Sequence, residues 1–150
     1  MLLYKNGRVC EAHGYGIGAF AYYRRLVDNV ISRLLDEIVD LVPEEDKENY
    51  LAGLQKVKNE KLAEDKIRVA KDLLPQSLKL AGLNPLSTLY DALSAYLHAQ
   101  TDSECLEIAV TIRTVFDALV VQIEANKAAS KALTEGTKKL LREKSRAISS

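Results

Sequence analysis

The stretch AFAYYRRLVDNVISRLLDEIVDLV, residues 19–42, decides the fold class. Phe20, Tyr23, Val27, Val30, Ile31, Leu34, Leu35, Ile38 and Leu41 recur at steps of three and four, the signature of one broad buried helical face. Arg24, Arg25, Asp28, Asp36 and Asp40 largely fall elsewhere on the wheel. Pro43 ends this helix or starts the next, and the acidic run Glu44-Glu45-Asp46 suits a first helical turn, where the dipole favours negative charge.

Upstream, the alternate glycines of Gly14-Tyr15-Gly16-Ile17-Gly18 invite comparison with a phosphate-binding loop. No apolar strand clearly precedes them and the lysine–serine/threonine pair of such loops is missing, so close packing of a helix start on another backbone is the better account. Residues 1–14 read as a lead-in, with Leu2, Leu3 and Tyr4 forming a short extended segment before the turn signal Asn6-Gly7. Downstream, residues 44–79 interleave eight acids with eight bases around narrow apolar stripes. They predict two helices broken around Asn59–Glu64, forming a peripheral, solvated hairpin. Ser77–Leu83 reads as a short helical turn stopped by Gly82 and Asn84-Pro85. Leu86–Ala99 reads as a helix with Leu86, Leu89, Tyr90, Leu93, Tyr96 and Leu97 facing inward. Thr101 and Glu104 have capping-box spacing and open a long helix striped by Cys105, Ile108, Ala109, Ile112, Val115, Phe116, Leu119, Val120 and Ile123. Beyond about Ala128 the apolar face thins to Leu133, Leu140 and Leu141, which predicts a segment outside the core with a frayed end.

Together these elements predict an all-α compact bundle of four to five main helices with a short extended N-terminal segment. Its organisation is a lead-in at 1–14, the bundle at 15–128 and a basic helix or tail at 129–150. The composition agrees: apolar residues make up 47% of 150, enough for one core, while three prolines and seven glycines are too few for a many-turned β-fold. Cys10 and Cys105 lack metal-ligand spacing, and with only His13 and His98 beside them no structural zinc set is assembled. No cofactor is expected. Neither a signal peptide nor an apolar run long enough for a membrane span is evident, so the expectation is a cytoplasmic protein with no membrane association.

The 21 basic and 21 acidic residues cancel, but unevenly along the chain. Residues 80–126 hold six acids and one base, Arg113, whereas 127–150 hold seven bases and two acids. The second block, with Lys138, Lys139 and Arg142 at its centre, could contact RNA or DNA electrostatically or dock on the acidic half of a neighbouring subunit. It carries no aromatic residue for stacking on bases.

Two segments taken together resemble a known group. Gly-Ile-Gly-Ala-Phe-Ala-Tyr-Tyr-Arg-Arg at 16–25 resembles the opening helix of bacterial helical domains of the HEPN-like group (higher eukaryotes and prokaryotes nucleotide-binding), including an uncharacterised domain associated with restriction and defence proteins. Leu89–His98 followed by Asp102–Leu106 resembles the later helix pair of that group, and the likeness spans roughly residues 14–125. It implies an all-α bundle, commonly a homodimer. In active members it also implies metal-independent RNA cleavage by an arginine, a polar residue, three variable residues and a histidine. Carried onto this chain, the histidine is His98 and the polar residue Ser94, but the arginine position is Leu93.

No arginine or lysine lies between Lys79 and Arg113 to replace it, so a non-catalytic interaction module, self-associating or with a protein partner, is expected rather than an enzyme. The alternative is a divergent ribonuclease or RNA-binding accessory domain using His98 with Arg24 or Arg25. For His98 the plainer role is to cap a helix end, and for Arg24 and Arg25 to pair with Asp91, Asp102 or Glu104. Tyr22, Tyr23, Tyr90 and Tyr96 read as core edges with hydroxyls reaching water.

Overall fold

Gly16–Glu37 forms α2, and its apolar face is sealed: Tyr23, Val27, Ile31 and Leu35 are almost wholly inaccessible. Burying each large side chain contributes about 2 kcal/mol, which makes this face the spine of the core. The computed structural model, which describes residues 1–95, 98 and 101–149, places five other helices against or beyond it. They are α1 (Leu2–Ala12), α3 (Lys47–Asn59), α4 (Ala63–Ala70), α5 (Pro85–Ala95) and α6 (Asp102–Ser149). Among the described residues there is no strand, and the fold is an all-α helical bundle.

The lead-in is the main correction. Residues 2–12 are helix α1, not an extended segment, and α1 packs on α2 as part of the bundle. Asn6-Gly7, which reads as a turn signal, lies inside this helix because Gly7 meets the ring of Tyr23. A Cβ there would overlap the ring, so the absence of a side chain lets α1 lie flush on α2. Position 7 thus follows tertiary packing rather than local turn preference.

Elsewhere the breaks follow local chemistry. α2 stops at Glu37, short of the expected Val42, and passes through a 3₁₀ turn at Val39–Leu41. Val42 must be extended before Pro43, and it is (φ −81°, ψ 132°). The charged segment does split, into α3 and α4, separated by Glu60–Leu62. Its narrow stripe is nevertheless core, since Tyr50, Leu54, Val57, Ile67 and Ala70 are buried in the same cluster as α2. Lys66–Asp28 and Lys58–Asp36, both at 3.0 Å, fasten α4 and α3 to α2 at its edges.

Pro85 occupies the first position of α5. Asn84 Oδ1 accepts from the Leu86 and Ser87 amides while Asn84 Nδ2 donates to Lys71 O, so one side chain caps α5 and ties it to the end of α4. Leu86, Leu89 and Leu93 face the core as expected, whereas Tyr96 and Leu97 lie outside the described residues. The Thr101–Glu104 capping box forms reciprocally, at 3.2 and 3.3 Å.

α6 is one uninterrupted helix of 48 residues, about 72 Å long. Its first half buries Cys105, Ala109, Ile112, Leu119 and Ile123. From Ala128 to Ser149 every residue is exposed, so about 33 Å of helix stands clear of the bundle. The end that the sparse apolar face suggested would fray is helical through Ser149.

Where α2 and α6 begin, the backbones nearly touch. A Cβ on Gly16 would collide with the carbonyl oxygen of Asp102 and the amide of Leu106, both rigid backbone atoms. The Ile17 amide donates to Asp102 Oδ1 at 3.0 Å across the same contact. Gly16→Ala is therefore expected to destabilise the fold by at least about 2 kcal/mol, read from urea unfolding monitored by circular dichroism. Unchanged stability would contradict this packing.

Candidate functional site

Three groups of residues merit consideration as a site. The first is a polar cluster where α1, α2 and α6 meet. Arg113 Nε and Nη2 donate to the two carboxylate oxygens of Glu11 at 2.8 Å each, a bidentate fork between α6 and the last turn of α1. The Tyr23 hydroxyl donates to Glu11 Oε2 at 2.6 Å, and the Tyr4 hydroxyl donates to Asp117 Oδ2 at 2.9 Å. Arg8 and Asp117 extend the network at 3.4 and 3.5 Å.

The electrostatics follow from that geometry. Hydrogen bonding from Arg113 outweighs partial burial and holds the Glu11 carboxyl below the usual glutamate range. Burial and the hydrogen bond to Glu11 push the Tyr23 phenol well above its ordinary value, and the bond to Glu11 raises Arg113. Each group is thereby fixed in its neutral-pH form, Glu11 charged and Tyr23 protonated. The space beside it, among Tyr4, Tyr23 and Arg113, has no room for a water molecule. A mutually satisfied cluster without substrate access locks the helices together rather than performing chemistry.

The second group is the set drawn from the family resemblance. Leu93, at the position active members give to arginine, is fully buried in the core. Ser94 is exposed on α5, and His98 is exposed in a turn past Ala95, the end of α5. Arg24 is half-buried and Arg25 exposed, both on α2. Asp102, one of the acids considered for pairing with them, takes the Ile17 amide, and Asp91 is exposed. Of the four tyrosines expected to reach water, Tyr23 departs from that expectation, and Tyr96 lies outside the described residues. Tyr23 donates to Glu11, and buried Tyr50 donates to Leu35 O at 2.6 Å, because a hydroxyl this far inside needs a protein acceptor. Tyr90 lies under the Lys71 ammonium, 5.3 Å from the ring centroid.

No group of three or more histidine, cysteine or acidic residues is placed to hold a metal among the described residues. His13 Nδ1 bonds its own helix at Val9 O, and neither Cys10 nor Cys105 is in a disulfide. Burial raises the Cys105 thiol, keeping it neutral and poorly nucleophilic. No helix among the described residues is long and apolar enough to cross a membrane.

The third group is the projecting half of α6. Lys138, Lys139 and Arg142 are exposed there, and none of them makes an ion pair among the described residues. Leu133, Leu140, Leu141 and Ile148 are 59–75% exposed on the same rod. Leu140 and Leu141 are adjacent and, with Leu133 and Ile148, give this rod apolar surface that a partner could cover.

The Glu11–Arg113 pair escaped the sequence reading because its members are 102 residues apart. The one hint was that Arg113 is the single base among residues 80–126 and lies next to the buried stripe at Ile112. Comparison with protein-family models, curated proteins and solved structures gives no match.

Glu11→Gln is expected to destabilise the protein by about 2 kcal/mol at pH 7, because it leaves the Arg113 charge without its carboxylate. Since Glu11 titrates lower in the fold than in the unfolded chain, its contribution is complete above the ordinary glutamate range. It fades as pH falls through its folded value, so the gap between wild type and variant should close in acid. Urea titrations at pH 7, 5 and 3 measure this.

Proposed function

We propose that the chain is a non-catalytic, HEPN-like helical interaction module, cytoplasmic and bacterial, that works by self-association through the projecting half of α6. The observation that carries this reading is the fully exposed helix from Ala128 to Ser149 with its uncovered leucines. Apolar side chains along an exposed helix gain most when a partner covers them. The non-catalytic part of the reading is supported by Leu93, which lies in the core, and by α5, which carries no arginine or lysine to gather phosphate charge for His98.

A second reading has its own observation. Lys127, Lys131 and Lys138 share one side of the rod, away from Leu133 and Leu140, and together with Lys139 and Arg142 they offer an anionic polymer a stripe of positive charge. An RNA-binding accessory role would use that side, with Arg24 and Arg25 as further cations. The divergent ribonuclease reading, using His98 with Arg24 or Arg25, receives no comparable support.

Sedimentation velocity from micromolar to high micromolar protein is expected to show a concentration-dependent monomer–dimer equilibrium. A strictly monomeric protein throughout would remove the self-association reading. Metal-free incubation with single-stranded RNA is expected to give no cleavage above background, and His98→Ala and Arg24→Ala should match wild type. Any RNA binding should weaken steeply with salt, and a salt-insensitive affinity would count against the basic stripe.

A further inference from the structure

The exposed side of α6 has an internal symmetry about Ala129. Ala118 and Leu140 each lie eleven residues from it, and Ala125 and Leu133 each lie four from it, in opposite directions. At about 100° per residue all five fall within about 40° of one line along the helix. All five are exposed, although Ala118 and Ala125 are on the part of α6 that packs in the bundle. Among these five, the bundle half carries alanines and the projecting half leucines.

We infer that two copies of the chain pair through antiparallel α6 helices, with the two-fold axis at Ala129. This rests on the self-association reading above and specifies its surface. In that register Leu140 of each copy lies on Ala118 of the other, and Leu133 lies on Ala125. The two Ala129 residues meet at the centre, where small side chains let the backbones come close. Every projecting leucine on the line faces an alanine, so knobs and hollows match four times over by symmetry.

The bundle supplies a receptacle at the required level. An apolar groove of about 320 Å³ opens beside Ala118, walled by Val115 and Leu119 of α6 and by Leu83, Pro85 and Thr88 at the start of α5. Leu83 is 70% exposed there. An antiparallel partner delivers Leu140 and its neighbour Leu141 to this groove, burying on both sides what the single chain leaves open.

Charge selects the same direction. The rod segment 127–150 carries seven bases and two acids, whereas 80–126 carries six acids and one base. A parallel pair would set the two basic rods side by side, whereas the antiparallel pair runs each rod back over residues 108–131 of the other copy, where Asp117 and Glu124 partly offset three bases. Lys139 and Arg142 then come level with Asp117 of the other copy, on the same flank of the helix pair. Lys127, Lys131 and Lys138 point away from the partner, toward the cleft they share with Asp40 and Leu41.

Disulfide trapping in a Cys10→Ser, Cys105→Ala background tests the register. Ala129→Cys is expected to give a covalent dimer under mild oxidation. A chain carrying both Ala118→Cys and Leu140→Cys should do likewise, because the two positions are about 33 Å apart within one chain and can bond only between copies. Ala118→Cys or Leu140→Cys alone should give no covalent dimer. Crosslinking by either single variant would show parallel pairing and overturn the proposal.

A dimer in sedimentation that resists trapping both at Ala129→Cys and at the 118–140 pair would overturn this register while leaving self-association standing. A monomer at all concentrations would overturn both. Circular dichroism checks that each variant folds. As a second measurement free of introduced thiols, Leu140→Asp should raise the dimer dissociation constant at least about tenfold without changing helicity. An unchanged constant would again exclude this face.

Discussion

The bundle depends on how closely the N-termini of α2 and α6 approach. Two helix starts side by side bring two positive dipole ends together, which is unfavourable unless an anion lies between them. Asp102 is that anion: it occupies the first position of α6 and accepts the Ile17 amide in the first turn of α2. The contact is possible because residue 16 is glycine, with no Cβ to hold the backbones apart. Once these ends are fixed, the buried faces of α2 and α6 are brought into apposition along the bundle, and Tyr23, Val27, Ile31 and Leu35 meet Ile112, Leu119 and Ile123 in one core.

α1 completes this pair and brings in the charged residues. Gly7 seats the Tyr23 ring, and Tyr23 in turn reaches Glu11, which is gripped by Arg113 of α6. The Glu11–Arg113 pair is largely shielded from solvent, with side chains 13% and 19% exposed. Each charge there is tolerable only because the other is present and the remaining lone pairs are bonded. The network therefore specifies how α1 sits more than it adds net stability. α3, α4 and α5 are attached differently, by narrow apolar stripes and by edge pairs such as Lys66–Asp28 that water partly screens.

Much of this architecture could be read locally. The face of residues 19–42, the break between the two charged helices, the Asn84-Pro85 start of α5 and the Thr101–Glu104 box all act through neighbours within a turn, so spacing reveals them. The glycine cluster could also be read as close packing, although not which backbone Gly16 would meet. The N-terminal helix was hidden because Asn6-Gly7 carries a turn signal that packing against Tyr23 overrides. Leu93 read in the sequence both as an inward-facing residue and as a departure from the resemblance, and its burial joins the two, because an arginine there would have to enter the core.

The zero net charge, split into an acid-rich stretch and a basic end, is fixed by composition alone, as are the helix class and most of the breaks. These depend on residue type and on periodicities of three to four residues, which survive without knowledge of the fold. The tertiary structure decided which helix starts touch, which acid meets Arg113, and that the basic end leaves the bundle as one continuous helix with its leucines uncovered. Such facts depend on residues far apart in the chain being brought together, or on their being left with nothing to meet, and local spacing carries no record of either.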